Sequence, residues 1–205
     1  MKKKGLGGWV TGALMIAGIC YAASYSLPYI KGIFYDPMMK ATGATNTQLG
    51  LIMSVYGFGN VIFSLIGGFV TDKLDYKKCI IVSLLGTTAL SVWLALAPSV
   101  INMYIIWGLF GVTTFFVFNP SIFKLPRMIV PEHLVGESVG MFSFAQSIGY
   151  MVINFTSLYV YNLAEKSVGQ VPAFSTVVWV YAGFTFVSAL GCIFIFRKVE
   201  DVNTE

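Results

Sequence analysis

The chain has 205 residues, 57% hydrophobic, 16% aromatic and only 11% charged, with a mean hydropathy of +0.78, whereas a soluble domain carries roughly 25% charged residues. This is the composition of a membrane protein. The net charge is +4, but most basic residues flank apolar runs instead of sharing a soluble face, which sets nucleic-acid binding aside. Cys20, Cys79 and Cys192 lie in or at the edge of apolar runs without metal-type spacing, and His133 is the single histidine. No disulfide scaffold, metal site or cofactor is expected.

A helix that crosses a bilayer needs about 20 mostly apolar residues, and six such runs follow one another. They cover roughly Trp9 to Tyr29, Leu49 to Val70, Cys79 to Ala97, Val100 to Phe123, Ser138 to Tyr161 and Ala173 to Phe196. Breakers and charges separate them at Asp36-Pro37, Thr42 to Thr47, Thr71 to Lys78, Pro98-Ser99, Lys124 to Glu137 and Asn162 to Pro172. The first run, behind Lys2, Lys3 and Lys4, has the outline of a signal peptide, yet its apolar stretch continues to Tyr29 and five more spans follow. The expected fold is all-α and polytopic, a single six-helix transmembrane domain over residues 1–205 in the plasma membrane and its lipid.

Six spans put both termini on one side. Lys2, Lys3, Lys4, Lys73, Lys77, Lys78, Lys124, Arg127, Arg197 and Lys198 fall on that side, against Lys31, Lys40 and Lys166 on the other. The positive-inside bias makes both termini cytoplasmic.

Between the second and third spans runs Gly68-Phe69-Val70-Thr71-Asp72-Lys73-Leu74-Asp75-Tyr76-Lys77-Lys78. It resembles the signature loop of the major facilitator superfamily, G-x-x-x-D-[RK]-x-G-x-[RK]-[RK], with Gly68, Asp72, Lys73, Lys77 and Lys78 matching and Asp75 standing where the family usually has Gly. A glycine late in a helix allows a neighbour to approach closely, and an acidic side chain can meet basic partners or a helix N-terminus across a moving interface. These five residues are candidates for a conformational latch. The plainer reading is a cytoplasmic loop whose lysines only set topology.

The resemblance implies more than the loop does. That family has twelve helices in two six-helix halves, each a pair of inverted three-helix repeats, which rock about a midplane cavity. This chain looks like the N-terminal half, with residues 197–205 as a cytoplasmic tail or the start of the linker between halves. The implied function is secondary active transport, as symporter or antiporter, of a small polar or anionic organic solute by alternating access. The implied partners are the solute and a second six-helix half, either a C-terminal half or a second copy. Drug exporters of the family carry a Gly-Pro-rich fifth helix and sugar porters a Pro-Glu-Ser-Pro-Arg motif after the sixth; GMFSFAQSIGYMVINF and FRKVEDVNTE match neither. YAASYSLPY, Asn119-Pro120 with Arg127, and Ala145 to Gly149 resemble the organic-phosphate and organic-anion branch, although Pro28 and Gln146 stand where that branch has Arg and His.

In that architecture the first and fourth helices line the cavity. Tyr21, Tyr25 and Tyr29 lie on one face of the first span at i, i+4 and i+8. Tyr21 and Tyr25 are solute-binding candidates or packing residues, and Tyr29 belongs to an interfacial belt. The fifth span has a polar stripe of Ser143, Gln146, Tyr150, Asn154 and Ser157, and polar groups in hydrocarbon need a protein or aqueous partner. Gln146 and Asn154 are candidates for solute contact or for bonds between helices. Thr113, Val117, Pro120, Lys124 and Arg127 fall on one face of the fourth span. Lys124 and Arg127 read either as anion-binding residues at the cavity mouth or as positive-inside anchors and gate residues, with Pro126 expected to end or kink the helix. Gly59, Gly67, Gly140 and Gly149 are expected to face a partner half.

Two motif matches carry no chemistry. Gly136 to Gly140 fits G-x-S-x-G without a preceding strand or a following His, and Asn154-Phe155-Thr156 sits inside a span. No catalytic constellation is present, so an enzyme is not expected. The nine acidic residues fall in loops, tails or helix ends, which leaves this segment without a deep proton relay. The alternative class is a non-transporting, truncated or regulatory six-helix bundle; a half-transporter working as a homodimer is the third reading.

Overall fold

A computed structural model describes residues 6–202; Lys2, Lys3, Lys4 and Glu205, which enter the charge reading, lie outside the described residues. Helix α1 is Gly8–Ser26 and leads through a 3₁₀ turn at Ile30–Gly32 into a short α2, Tyr35–Thr42. The Asp36-Pro37 pair was expected to break the chain, but Pro37 falls in the first turn of α2, where a missing N–H costs nothing. Gly43, at φ 71°, then ends that helix.

Helix α3, Asn46–Thr71, starts at a capping box in which Thr45 and Gln48 bond each other's backbone N–H groups. Asp75 caps α4, Tyr76–Leu96, by accepting from the N–H groups of Lys77 and Lys78. Ser99 caps α5, Val100–Phe110, which continues without a break through a π-helical stretch, Gly111–Phe118, into α6, Asn119–Met128. Pro126 does not end the helix, which runs on to Met128. Its carbonyl accepts from the Ser138 hydroxyl at 2.7 Å and so ties α6 to the start of the next helix.

Helix α7 runs from Val135 to Val168, well past the expected end at Tyr161, and α8 is Gln170–Phe196. Only Gly169, at φ 82°, separates them. The stretch Asn162 to Pro172, expected to separate two spans, is therefore helical apart from a one-residue corner. Five stretches, α1, α3, α4, α5 through α6, and α8, are long and apolar enough to cross a membrane. The 34-residue α7 is longer but more polar.

The dominant packing pairs are α1 with α7, α4 with α8, and α3 with the continuous helix that runs from α5 through the π-helical stretch into α6. At the first, a Cβ on Gly18 would strike the Phe142 carbonyl, the Ala145 methyl and the Gln146 backbone nitrogen, and one on Gly149 would sit 2.8 Å from the Ala22 methyl. Gly18 and Ala22 thus face Ala145 and Gly149, a reciprocal pair of small-xxx-small steps. At the third, a Cβ on Gly67 would run into the Phe116 carbonyl, while Gly59 lies against Gly111 and Phe63. Three of the four glycines expected to face a partner are therefore used within this bundle, and only Gly140 meets open space. Helix α3 is the most exposed, with 22% of its apolar window buried against 50% in α1 and in α4; Phe58, Leu65 and Phe69 stand on its open face.

The backbone contacts at Gly18 and Gly67 leave no room for a side chain, and overpacking typically costs about 1–3 kcal/mol. Gly18→Val and Gly67→Val should each lower the thermal midpoint of the detergent-solubilised protein, whereas Gly140→Val should leave it unchanged.

Candidate functional site

The loop after α3 and the ends of α6 and α8 meet at one end of the bundle. Asp72 closes α3, its N–H bonded to the Gly68 carbonyl at 3.2 Å, and its carboxylate stands 3.7 Å from the Lys124 ammonium on α6. Lys124 is 17% exposed and Asp72 67%, so the pair is held from one side only. Two groups assigned separately from the sequence, a latch acid and a solute-binding cation, are thereby joined. Arg127 is exposed and lines the same end pocket as Asp72, Pro120, Phe123, Lys124 and Met128.

Asp75 stands where a tight-turn glycine was expected, yet its φ of −67° needs no glycine. Its carboxylate caps α4 and lies 3.4 Å from Lys78. The close helix approach expected at Gly68 occurs one residue earlier, at Gly67, while Gly68 meets open space and Lys73 is exposed. Lys77 turns toward the tail: its ammonium lies 2.8 Å from Asp201 and 2.8 Å from the Val199 carbonyl. The Tyr76 hydroxyl also donates to Asp201. Val199 is buried and the Val202 N–H bonds the Met128 carbonyl at 2.8 Å. Residues 199–202 are thus strapped across the ends of α4 and α6; Asp201 had no sequence signal beyond being one acid in a polar tail.

A second cluster lies deeper. Tyr25 is 2% exposed; its hydroxyl donates to the Thr114 carbonyl at 3.3 Å and accepts from the Asn119 amide at 3.0 Å. Tyr56, on α3, shares a hydrogen bond with the Thr114 hydroxyl at 3.0 Å. Thr114 sits in the π-helical stretch, where the Asn119 N–H also reaches back to its carbonyl. This wider turn rotates the residues beyond it, so Thr113 points to Thr87 on α4 at 3.2 Å while Lys124 faces Asp72. The single face expected for Thr113 through Arg127 is split because a uniform α-helical register does not hold.

Tyr21 packs beside Tyr25, with centroids 4.6 Å apart, and beside Phe123 and Phe142. On α7, Gln146, Tyr150 and Asn154 are half-buried, and the Asn154 oxygen accepts from the Tyr181 hydroxyl at 3.3 Å. Sequence reasoning missed Tyr56 and Thr114, although Thr114 adjoins Thr113. Tyr25, on the tyrosine face of the first span, and Asn119, beside a proline within a span, were the visible signals for this network.

Helices packed through small residues, with charges confined to their ends and neutral polar groups inside, define a helical membrane protein. A family model described as Major Facilitator Superfamily matches residues 8–205, and the chain belongs to that family. It is 29% identical over 178 residues to Inner membrane protein YihN of Escherichia coli (strain K12), covering 87% of this chain and 41% of that protein. It is 25% identical to Glucose transporter GlcP of Staphylococcus epidermidis (94% and 43% covered) and 24% identical to Probable anion transporter 6 of Oryza sativa subsp. japonica (85% and 40%). The chain spans about two fifths of the length of these curated relatives.

Asp201→Ala should free the 199–202 strap. With a part-exposed ion pair worth about 1 kcal/mol or less and a few hydrogen bonds of similar size, trypsin should cut after Lys198 several-fold faster, as read by mass spectrometry of the intact chain.

Proposed function

We propose that this chain is the N-terminal six-helix half of a secondary transporter that moves a small polar or anionic organic solute by alternating access. Helix α7 is the fifth of six spans, and the two groups of three spans are inverted repeats. The pattern of helix packing supports this reading. Numbering the spans one to six, the strongest contacts are one with five, four with two, and three with six. Exchanging one with four, two with five and three with six leaves that set unchanged, as an internal two-fold axis requires. The close glycine crossings repeat in the same way, Gly149 of the fifth span on Ala22 and Ile19 of the first, and Gly67 of the second span on Phe116 of the fourth.

The single observation that carries the mechanism is the Asp72 to Lys124 contact. It ties the end of the second span to the end of the fourth, so a change in the tilt of either must break it. In this reading Lys124 is the latch's basic partner, Gly68 and Lys73 face the second half, Lys77 and Lys78 fix the loop, and Arg127 stays at the cavity mouth. Tyr21, Tyr25, Gln146 and Asn154 belong to the solute side. A second six-helix unit, from a longer chain or a second copy, covers the apolar face of α3. Both termini are cytoplasmic, as the basic residues demand.

Two measurements test this. A membrane-impermeant maleimide should label Ser167→Cys in intact cells and Glu200→Cys only after permeabilisation; the reverse pattern overturns the orientation. In solute exchange by the reconstituted protein, Asp72→Asn should slow turnover about two- to five-fold, the scale of a half-exposed ion pair. Unchanged turnover removes the latch.

A further inference from the structure

Cys20 on α1 and Cys192 on α8 are 172 positions apart in the chain, and their sulfurs lie 3.2 Å from each other. Both side chains are fully buried, and the Cys20 thiol also donates to the Ser188 carbonyl at 3.5 Å. The packing of α1 on α8 sets this meeting. Gly191 faces Ile16 on one side of the pair, and on the other the Ala23 carbonyl accepts from the Thr185 hydroxyl at 3.3 Å. Neither thiol belongs to the latch, the Tyr25 network or the 199–202 strap.

Cys20 also forms part of the wall of an apolar groove of about 410 Å³ between α1, α7 and α8. Val152 and Val187 line the same groove and are 46% and 64% exposed, so it opens on the outer surface of the bundle. No Asp, Glu, Lys or Arg occurs in Gly8–Ser26 or in Gln170–Phe196. A small apolar molecule dissolved in the bilayer can therefore approach Cys20, whereas a hydrated ion would have to shed its water on the way. The space is ample, since an apolar cavity of about 150 Å³ already holds a benzene ring.

Two thiols alone suit few ligands. Among the described residues no three His, Cys, Asp or Glu side chains gather in one place, so a tetrahedral zinc lacks its ligands. A disulfide would draw the sulfurs in to about 2.05 Å, against the packing of two helices, and would need an oxidant to take two electrons. A two-coordinate soft metal ion favours a straight line through its two sulfurs, which would push these apart, and it would enter the groove carrying charge. Trivalent arsenic is soft, neutral in its compounds and pyramidal, with bonds not far from right angles. It holds two sulfurs about as far apart as these already stand.

We propose that Cys20 and Cys192 form a dithiol site within the membrane that takes a trivalent arsenical bearing an apolar group. With an oxoarsine, the two S–H bonds and the bonds from arsenic to oxygen break, two As–S bonds form, and both protons leave with the oxygen as one water. Arsenic stays trivalent, so no electrons are exchanged. The first bond forms at Cys20 from the groove, and Cys192 closes the bridge. Closure is intramolecular, so the pair should hold the arsenical about 100-fold more tightly than either thiol alone. The bridge fixes α1 to α8.

The test uses the full chain in phosphatidylcholine liposomes, reduced with a phosphine, freed of it and treated with phenylarsine oxide. Intact mass should show one phenylarsenic unit added and two hydrogens lost, and the thermal midpoint should rise, because the adduct forms only where the folded helices meet. A dithiol such as dithiothreitol should strip the adduct, and 2-mercaptoethanol at equal thiol concentration should not. Cys20→Ser and Cys192→Ser should each weaken retention about 100-fold, and Cys79→Ser should leave it unaltered. Val187→Trp, which narrows the groove and spares both sulfurs, should slow the reaction several-fold while giving the same adduct. No adduct on protein whose circular dichroism shows it folded overturns the site. An adduct that survives Cys192→Ser, or that the monothiol removes, overturns the bridge.

Discussion

Helices in lipid gain little from burying apolar side chains, because the solvent they leave is equally apolar, so close backbone contact and paired polar groups must hold them together. In this protein that constraint is met at two crossings where no side chain fits. Gly18 lies on the Phe142 carbonyl and Gly67 on the Phe116 carbonyl. Everything else hangs on these approaches. The first draws α1 against α7 and sets Ala22 and Ile19 directly on Gly149. The second sets α3 against the fourth span closely enough for Tyr56 to bond Thr114 and for Asp72 to reach Lys124.

The fourth span is where local and tertiary demands meet. Pro120 removes one N–H from the helical ladder, and the chain ahead of it adopts the wider π-helical turn. The Thr114 carbonyl accepts from the Asn119 N–H and from the Tyr25 hydroxyl. That stretch therefore connects the polar interior directly to α1. Ten residues after Thr114, the same helix ends in the ion pair with Asp72. A change in the π-helical turn would rotate Lys124 relative to α3, which gives a physical route between the interior and the end of the bundle that carries the signature loop.

That end is more elaborate than one ion pair. The loop's two adjacent lysines part company: Lys78 stays with its own cap residue, Asp75, while Lys77 holds Asp201 and the Val199 carbonyl. The signature loop thus binds two different elements, α6 through Asp72 and the tail through Lys77. Asp75, which departs from the glycine of the signature, becomes the N-cap that lets α4 start immediately and orients both lysines.

The sequence by itself determined the membrane class, the apolar spans, the signature loop and the family, because hydrocarbon thickness, charge bias and a local motif are all written along the chain without reference to distant residues. It also marked Gln146 and Asn154 as members of a polar stripe on an otherwise apolar helix. Helix limits were less legible: α7 overran its expected end because Gly169 alone was enough to turn the chain, and α2 formed because Pro37 fell in a first turn. Which glycines face inward, which cation pairs with Asp72, and how Asn119, Thr114 and Tyr56 meet Tyr25 were decided only by the tertiary structure. Each depends on the rotation of one helix against another, and a π-helical turn in the fourth span shifts that rotation in a way that no uniform helical periodicity records.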